Sequence, residues 1–375
     1  MTDLGLADVA VVGGGIAGAA ACVALHRAGL RSLWIAPASA SGGDRVGESL
    51  APAARPILAE LGLDGLTERP GHRPANAAFS AWGTDRLVER NAIVHLEGPG
   101  RVLDRAGFEA DLRAAADGST GRCREQLAAV SCADGRWRLE LAGGRSTTVR
   151  FLVDASGRAS VVGRTLATSR RDDRLVAACA FLPHRDPKVE PTPATLIEAV
   201  EDGWWYAALL PDRRLSLAYF SDPDLLPRGL SRDLPAWQTS IAGSTYVSHW
   251  LADAGFDADR PPRLHSAGTT WLEPAAGTRD GAGWAAIGDA AAAFDPLSSH
   301  GMTTALWAAA RIGKVAAAWL GGDPEPLSAY AHAVAAGISR FRAQRAEVYG
   351  REQRFPDAPF WRRRKPDGVT ALPRR

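Results

Sequence analysis

The chain has 375 residues, 46% of them hydrophobic, and a formal net charge of +2, so it is long enough for two lobes and lacks the concentrated basic face of a nucleic-acid binder. Cys22, Cys123, Cys132 and Cys179 form no CxxC pair and have no histidine at zinc spacing; they read as small buried apolar residues in a reducing compartment, and no metal site is expected. The apolar run 9–25 has no basic leader and the alanine-rich run 302–320 is interrupted by Arg311 and Lys314, so neither is read as a signal or a bilayer span, and a cytoplasmic protein away from membranes is expected.

In chain order, residues 8–12 read as a strand, 16–28 as a helix and 31–35 as a second strand, which is βαβ order. Residues 103–116 read as a helix, followed by strands at 122–130, 137–141 and 147–153 with turns at Asp134-Gly135 and Gly143-Gly144. Strand-like runs broken by proline continue from 175 to 220, among them 203–211 and 214–220, and suit an antiparallel sheet open on one face. A helix is expected at 235–254, a strand at 284–287 and a long helix from near His300. Beyond Arg351 the chain is rich in arginine and reads as a solvated basic tail.

Three motifs carry chemistry. Gly13-Gly14-Gly15-Ile16-Ala17-Gly18 is a GxGxxG directly between a strand and a helix. Gly13 permits the tight turn, Gly15 lets the backbone approach a pyrophosphate, Gly18 lets helix pack on strand, and the helix N-terminus supplies amides. The acidic residue that would hold a ribose at the end of the second strand is replaced by Ala36. The second motif is Asp154-Ala155-Ser156-Gly157 at the end of an apolar strand; the third is Gly288-Asp289, shortly before Phe294-Asp295-Pro296.

These motifs occur in this order in FAD-dependent monooxygenases, which the chain resembles over nearly its whole length. Arg45-Val46-Gly47-Glu48-Ser49 and Asp295-Pro296-Leu297-Ser298-Ser299-His300-Gly301-Met302 further resemble the branch of flavin-dependent halogenases and of tryptophan-hydroxylating flavoproteins of quinone-cofactor maturation. The resemblance implies an α/β fold: a Rossmann-like FAD-binding domain of the glutathione-reductase type (1–70, 101–174, 276–335), an inserted antiparallel-sheet substrate domain (71–100, 175–275) and a C-terminal helical segment with a basic tail (336–375). It implies FAD contacts from Gly13, Gly15, Ile16, Ala17, Gly18, Arg45, Gly47, Ser49, Arg105, Asp154, Gly157, Asp289, Pro296, Ser299, Gly301 and Met302. A loop of backbone amides entering a helix suits the pyrimidine edge of a reduced flavin.

Halogenases of this type use a lysine some tens of residues after the Gly-Glu-Ser segment, whereas this chain has only Lys188, Lys314 and Lys365; their Trp-x-Trp-x-Ile-Pro pattern is replaced by 204–211. The expected activity is therefore hydroxylation of an electron-rich aromatic ring through a flavin hydroperoxide, on a small molecule or on a tryptophan of a peptide or protein. Halogenase and reductase or dehydrogenase are the alternatives. Against the halogenases acting on free tryptophan, a shorter C-terminal cap and a wider cavity mouth are expected. Glu48 and His300 are the candidate acid–base groups, and Trp82, Trp204 and Tyr206 the candidate substrate contacts, with His72, Arg73 and Ser80 on the strand bordering the cavity. Dioxygen is the co-substrate. No second GxGxxG is present, so electrons are expected from transiently docked NADH or NADPH, or from a separate flavin reductase.

Overall fold

The computed structural model describes residues 7–37, 46–91 and 98–365. It divides into two compact units, 1–74 with 100–173 and 268–338, and 75–99 with 174–267 and 339–375. Residues 268–275 belong to the first unit, not to the inserted sheet, because strand Thr270–Glu273 pairs with Thr168–Arg171 and with Ala292–Ala293.

The first unit is built on a six-stranded sheet. Strand Val9–Val12 lies between Phe151–Asp154 and Ser32–Ile35, all parallel, with Ala282–Ala286 beyond the former and Gly121–Cys123 beyond the latter. These strands are short and buried, and they read as unbroken apolar runs because helices or sheets cover both faces. Helix Ile16–Arg27 follows the first strand and packs against helix Gly301–Leu320. The approach is close because Gly313 has no side chain: a Cβ there would come within 2.5 Å of the Ala24 carbonyl oxygen.

Two predicted strands prove to be pairs. The stretch 122–130 divides into Gly121–Cys123 of the parallel sheet and Leu127–Ala133 of a three-stranded meander. The stretch 147–153 divides likewise into Ser146–Val149 of the meander and Phe151–Asp154 of the main sheet, Arg150 marking the change of sheet. The helix expected from residue 103 starts at Arg105, because the Asp104 carboxylate accepts the Gly107 amide and caps it. Cys22, Cys123 and Cys179 are buried, Cys132 is half-buried, and all four are free thiols.

The second unit is a seven-stranded sheet in the order Arg263–Ser266, Val176–Leu182, Leu215–Ser221, Gly203–Leu209, Ala194–Val200, Ala77–Ala81 and Val88–Asn91. Its pairs are antiparallel except Ala194–Val200 with Ala77–Ala81. The helix expected at 235–254 breaks into Leu234–Ala242 and Tyr246–Asp253. The restart has a physical cause: the buried Glu198 carboxylate accepts the amides of Thr245, Tyr246 and Val247 at 2.7, 3.0 and 2.8 Å, capping the second helix from a neighbouring strand.

The sheet is not open on one face at its centre. Trp205 packs with Tyr219 and Trp237 on one side. On the other, Trp204 stacks on Phe220 and donates to the Tyr349 hydroxyl at 3.0 Å. The arginine-rich C-terminus is correspondingly no solvated tail as far as residue 365. Trp361 donates to the Val200 carbonyl, Arg354 reaches the Ala81 and Ala199 carbonyls, and Arg364 pairs with Asp222 at 2.7 Å, both side chains under a tenth exposed. The expected separate segment 336–375 thus packs, over residues 339–365, as part of the second unit. Among the described residues no helix is long and apolar enough to cross a membrane.

Candidate active site

In open parallel sheets, ligands bind beyond the carboxyl ends of the strands where the strand order reverses. Here that place lies beside strand Val9–Val12, with Phe151–Asp154 on one side and Ser32–Ile35 on the other, and the three motif turns lie at the carboxyl ends of Val9–Val12, Phe151–Asp154 and the neighbouring Ala282–Ala286. Gly13 has φ +127, and a Cβ on it would overlap the Ala155 carbonyl at 2.1 Å. A Cβ on Gly18 would strike the Gly13 carbonyl oxygen at 2.1 Å, so the first turn of the helix lies directly on the glycine loop. Gly15 differs: a Cβ there would meet no heavy atom within 4 Å. Gly15 is also the N-cap of a helix with no side-chain cap and no acid in its first turn, so no side chain of that helix start competes for its first amides or its positive dipole end. That is the cradle a pyrophosphate needs, and the residues fit FAD at its ADP half.

The turn is held by two side chains that sequence reasoning missed. The Trp34 indole N–H donates to the Gly13 carbonyl at 2.8 Å, and Arg113 donates through Nε to the Gly14 carbonyl at 3.4 Å. Trp34 is fully buried, and the Arg122 guanidinium lies 4.7 Å over its ring.

The Asp154 motif acts differently from expectation. Its carboxylate is 1% exposed, with one oxygen accepting the Ser156 amide and hydroxyl at 2.9 and 2.5 Å and the other accepting the Val162 and Gly163 amides at 2.9 and 2.7 Å. Asp154 therefore folds the turn rather than contacting a cofactor; a buried carboxylate with four donors has no capacity left to aim at a ligand. Gly157, at φ +69, carries that turn into the short helical segment Gly157–Ala159, which packs on Gly288–Ala290 and brings Arg158 to Asp289.

Asp289 is the carboxylate open to a ligand. Its side chain is 43% exposed, with Arg158 Nε 3.8 Å from its carboxylate. Desolvation by the surrounding protein pushes its carboxyl above the usual range, against the pull of the Arg158 and Arg105 guanidiniums. Gly288 has φ +57, and a Cβ there would crowd Ala17 at 2.9 Å, so the Asp289 turn sits against the first turn of the glycine-motif helix.

Arg105 donates to the carbonyls of Val46 (3.1 Å) and Gly47. Gly47 has φ +86, and a Cβ there would stand 3.1 Å from the Arg105 guanidinium. Ser49 and Leu50 pair with Val102 and Arg101, and Leu103 donates to the Glu48 carbonyl at 2.9 Å, so the Glu48 segment is stitched to the start of helix Arg105–Asp117. Glu48 is 2% exposed. In the other loop, Asp295 caps the turn Pro296–Ser298 by accepting the Leu297 amide at 3.0 Å, Ser299 takes φ +52, and Gly301 opens the long helix with no side-chain cap and no acid in its first turn. A Cβ on Gly301 would meet nothing within 4 Å, His300 is exposed, and Met302 is buried. This is a second helix N-terminus free for an electron-rich edge.

The candidate substrate contacts fare less well. Trp82 donates to the Val348 carbonyl and packs edge-on to Trp204, Tyr349 and Trp361. Trp204 is 1% exposed. Trp204 is core of the second unit, because the returning C-terminal segment covers that face; Trp82 and Tyr206 are half-buried. Nor do His72, Arg73, Ser80 and Trp82 share one strand. His72 accepts the Asp104 amide through Nδ1 and lies with Arg73 in the first unit, whereas Ser80, in strand Ala77–Ala81, and Trp82 belong to the second. Arg45 lies outside the described residues. A recess of about 480 Å³ lined by His26, Arg31, Ser32 and Thr120 lies at the amino ends of the strands, the opposite edge from these turns.

Comparison with models of known protein families returns no match. The chain is 26% identical over 372 residues to LodB of Marinomonas mediterranea, which carries the name FAD-dependent oxidoreductase, covering 95% of this chain and 96% of LodB. Among solved structures it superposes on the flavin-dependent halogenase CmlS with a TM-score of 0.83 at 23% identity, covering 98% of this chain and 69% of CmlS. The myxobacterial chondrochloren halogenase CndH gives 0.83 at 21%, covering 97% and 87%. The chain has the FAD-binding fold of the flavin-dependent halogenases. The same fold is shared with QhpG, a peptidyl tryptophan dihydroxylase essential for tryptophylquinone cofactor biogenesis, at a TM-score of 0.76 and 24% identity, covering 96% of this chain and 79% of QhpG.

Proposed function

We propose that this FAD-dependent oxidoreductase is a monooxygenase that hydroxylates an electron-rich aromatic ring, with a tryptophan side chain of a peptide or protein as the preferred substrate class. FAD, when bound and reduced, supplies the activation of dioxygen. The protein's part is to bind, orient and manage protons. The glycine turn and the amides of helix Ile16–Arg27 take the pyrophosphate, Asp289 takes a hydroxyl of the ribityl chain, and the start of helix Gly301–Leu320, with Ser299 and Met302, takes the flavin ring edge. His300, exposed at that helix start, accepts the ring proton, while the enclosed Glu48 holds its loop in place.

The observation that favours oxygen over halide is the placement of the lysines. The three in the chain are Lys188, Lys314 and Lys365, so none falls in 72–83, where the halogenase resemblance calls for one. Lys314 is paired with Glu60, and Lys365 donates to the Pro356 carbonyl. A second reading, halogenation, is favoured by the fold shared with CmlS and CndH. Electrons come from NADH, NADPH or a partner flavin reductase.

The test is mass spectrometry of tryptophan-containing peptides and free indoles incubated with the protein, FAD, a flavin-reducing system and isotopically labelled dioxygen. Gain of labelled oxygen on a peptide tryptophan supports the proposal. A product that forms only with bromide or chloride establishes the second reading, and turnover undiminished without oxygen refutes both.

A further inference from the structure

In helix Arg105–Asp117, Arg105, Glu109 and Arg113 follow one another at four-residue spacing and form a charged group that the FAD contacts alone do not account for. Glu109, 3% exposed, receives Arg105 Nε on one carboxylate oxygen at 3.0 Å and Arg113 Nη2 on the other at 2.5 Å. The two arginines diverge from it. Arg113 ends on the Gly14 carbonyl, and Arg105 ends on the carbonyls of Val46 and Gly47.

A peptide unit is planar, so the direction of a carbonyl sets the direction of the next residue's amide. By holding the Gly14 carbonyl, Arg113 orients the amide of Gly15, a residue on which a Cβ would meet no heavy atom within 4 Å. By holding the Val46 and Gly47 carbonyls, Arg105 orients the amides of Gly47 and Glu48. Two separate turns are thus set through one buried carboxylate. We propose that Glu109 is a positioning residue that couples them: occupation of the pyrophosphate turn stiffens the Gly47–Glu48 segment through Arg113, Glu109 and Arg105. Pyrophosphate fixes the Gly14–Gly15 peptide plane, which immobilises Arg113, and a buried carboxylate shared by two guanidiniums transmits that order to Arg105. The ADP half of the cofactor thereby prepares the loop beside which the flavin ring must settle. This inference rests on the FAD reading above.

The experiment uses the full-length, flavin-free protein and ADP alone, which occupies only the pyrophosphate turn. Backbone hydrogen exchange at residues 46–50 is measured with and without saturating ADP in the wild type, Glu109→Gln and Arg105→Ala. The expected result is slowing of about fivefold or more in the wild type, the low end of typical coupling between sites, and loss of that slowing in both variants. Arg105→Ala leaves the Arg113 arm in place and decides the matter where Glu109→Gln folds poorly. A residue that merely stabilised the fold would lower the melting temperature and leave the ADP response intact. ADP uptake without slowing in the wild type, or slowing retained in Arg105→Ala, overturns the coupling alone. Failure to take up either ADP or FAD overturns the FAD reading with it.

Discussion

Replacing Asp222 with Asn tests whether the C-terminal segment is held by one buried ion pair. Asp222 accepts Arg364 through both oxygens, at 2.7 and 3.1 Å, and Arg363 at 2.9 Å; the Asp222 and Arg364 side chains are 7% and 2% exposed. Breaking such a pair from one side strands a desolvated cation and costs about 3–5 kcal/mol. Arg363 is 46% exposed and also pairs with Asp224, so its share is small. Asn keeps one acceptor for Arg364, which places the expected loss near the low end, about 3 kcal/mol. Equilibrium urea unfolding followed by tryptophan emission measures it. The paired change Asp222→Asn with Arg364→Met should recover most of the loss, because Met keeps the packing over Phe360, whose ring now lies 3.7 Å from the guanidinium, and removes the stranded charge. A single-variant loss below about 1 kcal/mol, within the range of exposed pairs, or strict additivity in the double variant would refute the reasoning.

The same pair carries a pH dependence. Burial pushes the Asp222 carboxyl up, but Arg364 and Arg363 outweigh it and hold it below the usual range; Glu352, which braces Gly83, is lowered in the same way by Arg354. A lowered folded pKa means stability that is complete above the unfolded carboxyl value and is lost as pH falls through the folded one. Acid should therefore expose the C-terminus to pepsin in the wild type, and parallel acid profiles for wild type and Asp222→Asn would disprove this. Gly18→Ala should lower both melting temperature and flavin affinity, since its Cβ overlaps the Gly13 carbonyl, whereas Gly15→Val should melt like the wild type and bind no flavin. Equal thermal loss in both variants, read by scanning fluorimetry with and without FAD, would contradict the assigned cradle. Asp154→Asn should destabilise the apoprotein by about 3 kcal/mol through mismatched donors. Asp289, by contrast, has a raised carboxyl that costs stability as pH rises through its folded value, so Asp289→Asn should leave the apoprotein at pH 7 as stable or more so, while FAD affinity by fluorescence titration falls about tenfold or more. Reversal of these two outcomes would exchange their roles.

Local signals in the chain determined the nucleotide-binding half. Apolar runs and a glycine turn between strand and helix announce themselves within a few residues, because backbone conformation and helix starts depend on near neighbours, and the Gly47 and Gly301 loops were legible by resemblance to the halogenase branch. The repeat Arg105, Glu109, Arg113 was equally open to a reading by helical spacing, and its charge pairing follows from i,i+4 geometry. What those arginines reach did not, since Arg113 meets Gly14 across 99 positions of chain. Only tertiary structure decided that Asp154 spends its carboxylate on its own turn, that Glu198 restarts a helix from a strand, that Trp204 is core and that Trp82 packs against the C-terminal segment. Trp82 is bonded to Val348, 266 residues away, and Asp222 to Arg364, 142 away. Burial and the partner of a charge are properties of the packed chain, and side chains so distant in sequence leave no periodic trace of the surface that will cover them.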